Sequence, residues 1–150
     1  MLLVSITSLA EEDCVFDQNT RHEDNIALQK QYPGSKYIKE EYKIIIPVED
    51  GAISINKGGC VHYGMSIELR THKTKAFNNE NSLFNKIVEL ATKYAKDMLE
   101  IDELKKTLYG KRWEKISSGG YVVYYEGYQA FEIYTRDEDG ITIIGMSFYN

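Results

Sequence analysis

The 150-residue sequence predicts an α+β fold, an antiparallel sheet of about six strands with one long helix packed on one face. Three observations support this prediction. Strand-like segments bounded by turn residues lie in both the first and the last parts of the chain. A stripe of apolar residues with helical spacing lies between them. The composition, with 43% apolar and 27% charged residues, is that of one globular domain that buries its own core.

The first three predicted strands form a meander. Residues 37–46 are rich in Tyr and Ile, and Pro47 is expected to end this strand because proline cannot donate a ladder hydrogen bond. A second strand covers residues 52–56. A third covers residues 60–71, in which apolar and polar residues alternate strictly. The preceding residues 17–36 are polar and predict a loop or a short helix.

The long helix is predicted to begin in residues 78–82, whose Asn and Ser side chains suit an N-cap. We expect it to break near Asp102 and to continue as a shorter segment that ends at Gly110. Its apolar stripe consists of Leu83, Phe84, Ile87, Val88, Ala91, Tyr94, Ala95 and Met98. The order β-β-β-α-β-β-β is completed by three strands over residues 121–126, 128–135 and 141–149.

The first ten residues are apolar and are followed at once by three acids. Ser8 and Ala10 are small residues at the positions that precede a signal-peptide cleavage. We therefore interpret residues 1–10 as the remnant of a signal peptide and residues 11–150 as a single domain. No basic residue precedes the apolar segment, so a native first strand is the alternative. The first interpretation predicts a periplasmic or secreted protein and the second a cytoplasmic one.

Cys14 and Cys60 are predicted to form a disulfide bond. Cys60 lies on the polar face of its strand together with His62, and free cysteines are usually buried. Cys14 follows the predicted cleavage point, where a mobile chain end gains from a covalent tie. A bond between Cys14 and Cys60 would close the loop between them and contribute about 4 kcal/mol to stability in the chain-entropy model. Two unpaired thiols in a cytosolic protein are the alternative.

The formal net charge is −5, and two regions carry most of the acid excess: residues 11–50 are −5 and residues 121–150 are −4. A nucleic-acid binder normally shows a basic stripe, so this class is disfavoured. No segment approaches the ~20 apolar residues of a membrane-spanning helix. The two acidic regions favour a basic protein partner, because complementary fields raise association rates.

No catalytic motif in the sequence is strong. Cys60 and His62 share a strand face and are a candidate nucleophile and base for a small cysteine-dependent hydrolase. Glu126 and Glu132 are an acid–base pair only if one carboxyl has a raised pKa. The cysteines and histidines match no zinc-binding spacing: Cys14, His22, Cys60, His62 and His72. We therefore predict no metal, no cofactor and no enzymatic activity, with the hydrolase as the alternative.

Tyrosine is the compositional outlier, with 12 residues, of which six lie in residues 121–150. Tyrosine is common at interfaces because it buries area while keeping a polar tip. Three acids follow these tyrosines and are expected to form a rim. The predicted partner-binding residues are Tyr124, Tyr125, Tyr128, Tyr134, Asp137, Glu138 and Asp139. The alternative is that these tyrosines are ordinary strand residues in cross-strand pairs.

The segment GCVHYGM, residues 59–65, follows an upstream cysteine at the head of a strand. It resembles small exported proteins of Gram-negative bacteria that are uncharacterised or of toxin-immunity type, over about residues 1–70. The resemblance implies a periplasmic, disulfide-bonded protein that binds and blocks a toxin or effector, and it carries over no functional residues. We expect such an inhibitor to meet a basic cleft through its acidic, tyrosine-rich surface. A structural protein that pairs at its sheet edges, or a homodimer, is a further alternative.

Overall fold

The computed structural model describes residues 16–59, 61–73, 77 and 79–150. In these residues the α+β class and the antiparallel sheet are confirmed, but there are three helices and eight strands. The helices are α1 (Gln18–Gln29), α2 (Glu80–Tyr94) and α3 (Ile101–Tyr109). The strands are β1 (Lys36–Ile38), β2 (Lys43–Val48), β3 (Gly51–Lys57), β4 (Gly64–Thr71), β5 (Trp113–Lys115), β6 (Tyr121–Val123), β7 (Ala130–Glu138) and β8 (Ile141–Tyr149).

The predicted number of six strands is wrong for two local reasons. The first predicted strand is divided by a 3₁₀ turn, after which Tyr42 takes a left-handed conformation with φ of 50°. The second reason is β5, whose three residues are too few to show an alternating pattern. Pro47 does not end β2 but lies inside it, opposite Ala52. Proline is tolerated there because β1 pairs with β2 only as far as Ile45.

The helical predictions differ from the structure mainly at the boundaries. Asn79 is the N-cap of α2, and its side chain accepts a hydrogen bond from the Ser82 amide at 2.9 Å. The break between α2 and α3 covers residues 95–100, earlier than the predicted break near Asp102. The short α3 ends before Gly110, as predicted. The polar segment 17–36 contains a full helix of 12 residues, α1.

The sheet consists of two four-stranded meanders in the strand order β1-β2-β3-β4-β8-β7-β6-β5, joined where β4 pairs antiparallel with β8. An approximate two-fold axis passes through this central β4–β8 pair and relates the first meander to the second. Ile55 lies between Ile44 and Ile67 in the first meander, as Ile133 lies between Tyr121 and Met146 in the second. The helices α1 and α3 precede the first and second meander respectively.

One face of the sheet is covered by all three helices. Its central side chains form an apolar core together with residues of α1, α2 and α3. The strand residues in register across its middle are all buried: Ile44, Ile55, Ile67, Met146, Ile133 and Tyr121. We call the opposite side the helix-free face, because over the described residues no helix packs on it. Its centre lies on β4, β8 and β7.

Candidate functional site

The centre of the helix-free face contains an apolar position that is separate from the main core. Ile143 of β8 is 0% exposed, yet it does not belong to the core cluster that includes the helices. Its register neighbours are Arg70 of β4 and Arg136 of β7. On a face that no helix covers, Ile143 is buried because the aliphatic parts of these two arginine side chains lie across it. This part of the face is therefore a packed surface with charged groups on top.

Five side chains above Ile143 form one hydrogen-bonded group, which we call the Glu68 cluster: Glu68, Arg70, Tyr134, Arg136 and Glu138. The Glu68 carboxylate accepts from the Tyr134 hydroxyl at 3.1 Å, from Arg136 Nη2 at 3.4 Å and from Arg70 Nη1 at 3.5 Å. The Glu138 carboxylate accepts from Arg136 Nε at 2.7 Å and from Arg70 Nη2 at 3.2 Å. Two arginines and two glutamates thus balance in charge and hold one another in place.

A glycine makes room for the aromatic member of the cluster. Gly145 lies between Glu68 and Tyr134 in the register of the sheet. A Cβ atom at residue 145 would overlap the Tyr134 ring, so that ring lies directly on the backbone of β8. The Arg136 guanidinium carbon is 5.5 Å from the centre of the same ring. The Tyr134 ring therefore packs on the β8 backbone where residue 145 has no side chain, and its hydroxyl is held by the hydrogen bond to Glu68.

Three members of the Glu68 cluster, Tyr134, Arg136 and Glu138, have shifted pKa values. Burial, and then the neighbouring Glu68 carboxylate, raise the pKa of Tyr134 to about 12, so its hydroxyl stays protonated and donates. The hydrogen bond from Arg136 lowers the pKa of Glu138, and the same bond raises the pKa of Arg136. The Tyr134 hydroxyl is therefore a hydrogen-bond donor at neutral pH, and the Arg136–Glu138 pair presents opposite charges beside it.

The seven predicted partner-binding residues lie on two different sides of the sheet. Tyr125 is only 7% exposed, and its hydroxyl accepts from the Glu100 amide at 2.9 Å. The Tyr128 hydroxyl donates to the Met98 carbonyl at 2.5 Å. These two rings support the connection between α2 and α3. Tyr124 is 53% exposed on the helix-free side, and Tyr134 belongs to the Glu68 cluster.

The three predicted acids differ in what they contact. Asp137 accepts a hydrogen bond from the Thr142 hydroxyl at 2.7 Å, and Glu138 belongs to the Glu68 cluster. Asp139 has a φ of 50° and forms the tip of the β7–β8 hairpin with Gly140. Among the described residues, no ion pair or hydrogen bond engages the side chain of Asp139 or of Glu132, which is exposed on the helix-free face. These two carboxylates are available to a partner.

Sequence reasoning missed Glu68, Arg70 and Arg136. The sequence does contain a signal for two of them, because the alternation in residues 60–71 places Glu68 and Arg70 on the polar side of β4. Their partners on β7 are about 66 residues away in the chain. The pairing of β4 with β8 was needed to bring them together.

Both cysteines of the predicted disulfide, and therefore the nucleophile of the predicted hydrolase, lie outside the described residues. His62 is exposed, and its Nδ1 atom is 3.0 Å from the main-chain oxygen of Asn150. That oxygen only accepts, so Nδ1 carries the proton and Nε2 carries the lone pair in the neutral ring. The His62 ring lies 5.0 Å from the Tyr149 ring. Cys14 and Cys60 are two and three residues away from Phe16 and Tyr63, respectively.

The histidines considered as zinc ligands are dispersed. His22 Nδ1 is 2.6 Å from the Tyr37 hydroxyl, and the His22 ring stacks on Tyr42 at 4.5 Å. His62 precedes β4 and His72 follows it, so they lie at opposite ends of that strand. In the described part of the chain, no three His, Cys, Asp or Glu side chains are grouped to hold a metal ion. Glu126 is exposed in the connection between β6 and β7.

Within the described residues, none of the helices has the length and apolar character needed to cross a membrane. Neither a family model, nor a curated protein, nor a solved structure matches this chain.

Proposed function

We propose that this chain is a non-enzymatic binding protein of the inhibitor or immunity type, which blocks a secreted bacterial toxin or effector. The helix-free face is the docking surface in this proposal. The observation that carries it is the Glu68 cluster, in which five side chains are linked by hydrogen bonds on an otherwise uncovered sheet face. Side chains that are already ordered lose little conformational entropy when a partner binds.

The two halves of the helix-free face differ in chemistry, and the difference supports docking on the second meander. Glu132 and Tyr134 of β7 correspond to Ser54 and Asn56 of β3 through the approximate two-fold axis. The first meander therefore has small uncharged groups where the second has a carboxylate and an aromatic ring. Residues that contribute most to binding at protein interfaces are enriched in Tyr and Arg, whereas Ser is under-represented among them. We place the partner over β4, β8, β7 and β6.

The charge of the same region favours a basic partner. Residues 121–150 carry a net charge of −4. The arginines of the Glu68 cluster are already engaged by Glu68 and Glu138, whereas Glu132 and Asp139 have no described ionic partner. A basic cleft would gain both steering during approach and direct pairing with these carboxylates.

An edge-pairing assembly is less well supported than a face-docking inhibitor. The two edge strands, β1 and β5, are three residues long and contain Lys36 and Lys115. Short edges with lysines discourage the addition of a strand from another chain.

A small cysteine-dependent hydrolase is the second candidate, and the orientation of His62 is the observation that favours it. With Nδ1 bonded to the main chain, Nε2 is the nitrogen that would act as the base. This candidate requires a free Cys60 that alkylates rapidly and a Cys60→Ser variant that is inactive.

We also propose export and a Cys14–Cys60 disulfide, with a periplasmic or secreted location. The Phe16 and Tyr63 rings are 5.5 Å apart, and each residue of chain spans at most about 3.6 Å. Phe16 and Tyr63 therefore anchor the neighbouring chain segments close enough for the two cysteines to reach each other.

The binding proposal is tested by association kinetics with the product of the neighbouring gene. The Glu132→Lys/Asp139→Lys double variant should slow association about tenfold at low salt and weaken the salt dependence. Both positions are exposed, so the fold is expected to persist. Asp97→Lys/Asp102→Lys is the matched control, because it makes the same change of two carboxylates to lysines at exposed positions on the helix side.

An association rate that is equal in the Glu132→Lys/Asp139→Lys variant and the wild type, or reduced equally by the control double variant, would contradict docking on the helix-free face. Failure of the wild type to bind would exclude that gene product as the partner.

A further inference from the structure

A cavity of about 270 Å³ lies between α2 and the sheet, on the side opposite the helix-free face. It opens near the ends of β2, β3 and β4. Its apolar wall consists of Ile53, Leu69 and Leu90, which are all buried. The volume is near the lower end of the range for small-molecule sites, about 300–1,000 Å³.

The C-terminal part of α2 provides the polar groups of this cavity. Tyr94 is 4% exposed, and its hydroxyl has no hydrogen-bond partner among the described residues. Tyr94 lines the cavity together with Lys93, whose ammonium group lies 5.3 Å from the centre of the Tyr94 ring. A buried hydroxyl without a partner is costly, and a bound ligand is one way to satisfy it.

The other charges at the mouth largely cancel in pairs. Lys86 pairs with Glu89 at 2.5 Å, and Lys73 pairs with Asp50. Two lining residues have no ion pair among those described, Lys93 and Glu49 on the turn between β2 and β3. Of these two, Lys93 is the one whose ammonium group lies near the Tyr94 ring, so this wall offers a cation and a hydroxyl donor.

We propose that the cavity binds a small amphipathic monocarboxylate. Its hydrocarbon part lies against Ile53, Leu69 and Leu90, and its carboxylate pairs with Lys93 and accepts a hydrogen bond from Tyr94. A carboxylate fits because both groups donate, and because a charge-assisted hydrogen bond is stronger than a neutral one. This site is independent of the docking surface, from which it is separated by the sheet.

The experiment titrates ¹⁵N-labelled full-length protein with three chain-matched probes: octanoate, 1-octanol and octylammonium. Octanoate should bind at least about tenfold more tightly than either of the other two. The amide shifts should be confined to residues 86–94 of α2 and to the other residues that line the cavity, on β2, β3, β4 and the turn between β2 and β3 and at Lys73 and Phe77. Equal binding of octanol, tighter binding of octylammonium, or shifts located elsewhere would overturn the proposal.

Two variants test the assigned groups. Lys93→Ala should weaken octanoate about tenfold and leave octanol unchanged, whereas Lys96→Ala, an exposed lysine that does not line the cavity, should change neither. Tyr94→Phe should weaken octanoate but raise the Tm of the ligand-free protein, because it removes an unsatisfied buried hydroxyl. A Tyr94→Phe variant that binds octanoate normally, or that has a lower Tm, would overturn the role given to the hydroxyl. An effect of Lys96→Ala equal to that of Lys93→Ala would overturn the role given to Lys93.

Discussion

At the scale of single residues, the helix-free face depends on Glu68 and on a missing side chain beneath Tyr134. Glu68 receives one donor from its own strand β4 and two from β7, and its side chain is 19% exposed. Gly145 is required because the Tyr134 ring occupies the space of a Cβ atom. These two features convert an ordinary polar strand face into a rigid surface.

Gly145→Ala should destabilise the fold by about 1–3 kcal/mol, since the added methyl group displaces the Tyr134 ring. In a Tyr134→Ala background the same substitution should cost little, because the ring is no longer there to be displaced. Urea unfolding of the two single variants and the double variant measures this coupling. Additive effects would show that residue 145 and Tyr134 do not share this space.

Tyr134 should make stability depend on pH in the alkaline range. Its folded-state pKa is raised from 10.0 to about 12, so the folded state favours the neutral phenol. The resulting stabilisation is complete below pH 10 and is lost as the pH rises from 10 towards 12, where the unfolded chain ionises first. Tyr134→Phe should lose less stability over this interval. Unfolding midpoints that fall equally in both proteins would contradict the assignment.

At the scale of elements, the docking of α1 depends on a buried asparagine. Asn25 is 0% exposed, and its Nδ2 donates to the carbonyls of Arg21 and Lys57, each at 2.8 Å. Its Oδ1 accepts from the Lys57 amide at 3.2 Å. One side chain thus satisfies both backbone groups of Lys57 at the end of β3 and holds α1 against the first meander.

Asn25→Ala should lower the free energy of unfolding by about 3 kcal/mol, because it removes a buried amide that bonds both part-buried backbone groups of Lys57. Asn19→Ala, on the exposed side of the same helix, is the control and should change stability by less than about 0.5 kcal/mol. Chemical denaturation measures both. Equal effects of the two substitutions would mean that α1 is not held by Asn25.

The sequence largely predicted which segments are helices and which are strands, but not the residues at which they begin and end. The apolar stripe of α2 and the alternation in β4 reflect burial on one side, which the residue order records directly. The division of the first strand depends on the left-handed Tyr42, which no local pattern indicates. The polar α1 has little apolar periodicity, and its helix depends on contacts made by Asn25 with a distant strand.

At the scale of the whole molecule, two meanders joined at β4 and β8 create one continuous sheet with a free face. The sequence predicted tyrosines and acids of the last strands as a surface, and Tyr124 and Tyr134 are on the helix-free side. Tyr125 and Tyr128 instead support the α2–α3 connection, since strand alternation alone does not say which face the helices cover. The Glu68 cluster forms only because β4 and β7 both pair with β8 in a particular register, which the residue order does not indicate.

The Cys14–Cys60 disulfide is a prediction about the intact chain. Protein expressed from its own locus should have a mass two hydrogens below that of the reduced form and no thiol that alkylates before reduction. Reduction should lower the free energy of unfolding by about 4 kcal/mol. A Cys14→Ser/Cys60→Ser variant should not respond to reductant. Two thiols that alkylate without reduction would contradict the disulfide and favour the hydrolase.

The most direct test of the docking surface is a hydroxyl-radical footprint of the complex with the product of the neighbouring gene. Tyr124 on the helix-free side and Tyr109 on α3 are 53% and 49% exposed, so they form a matched pair. With docking on the helix-free face, the partner should protect Tyr124 and Tyr134 and leave Tyr109 as reactive as in the free protein. Protection of Tyr109 with unchanged reactivity at Tyr124 and Tyr134 would contradict it.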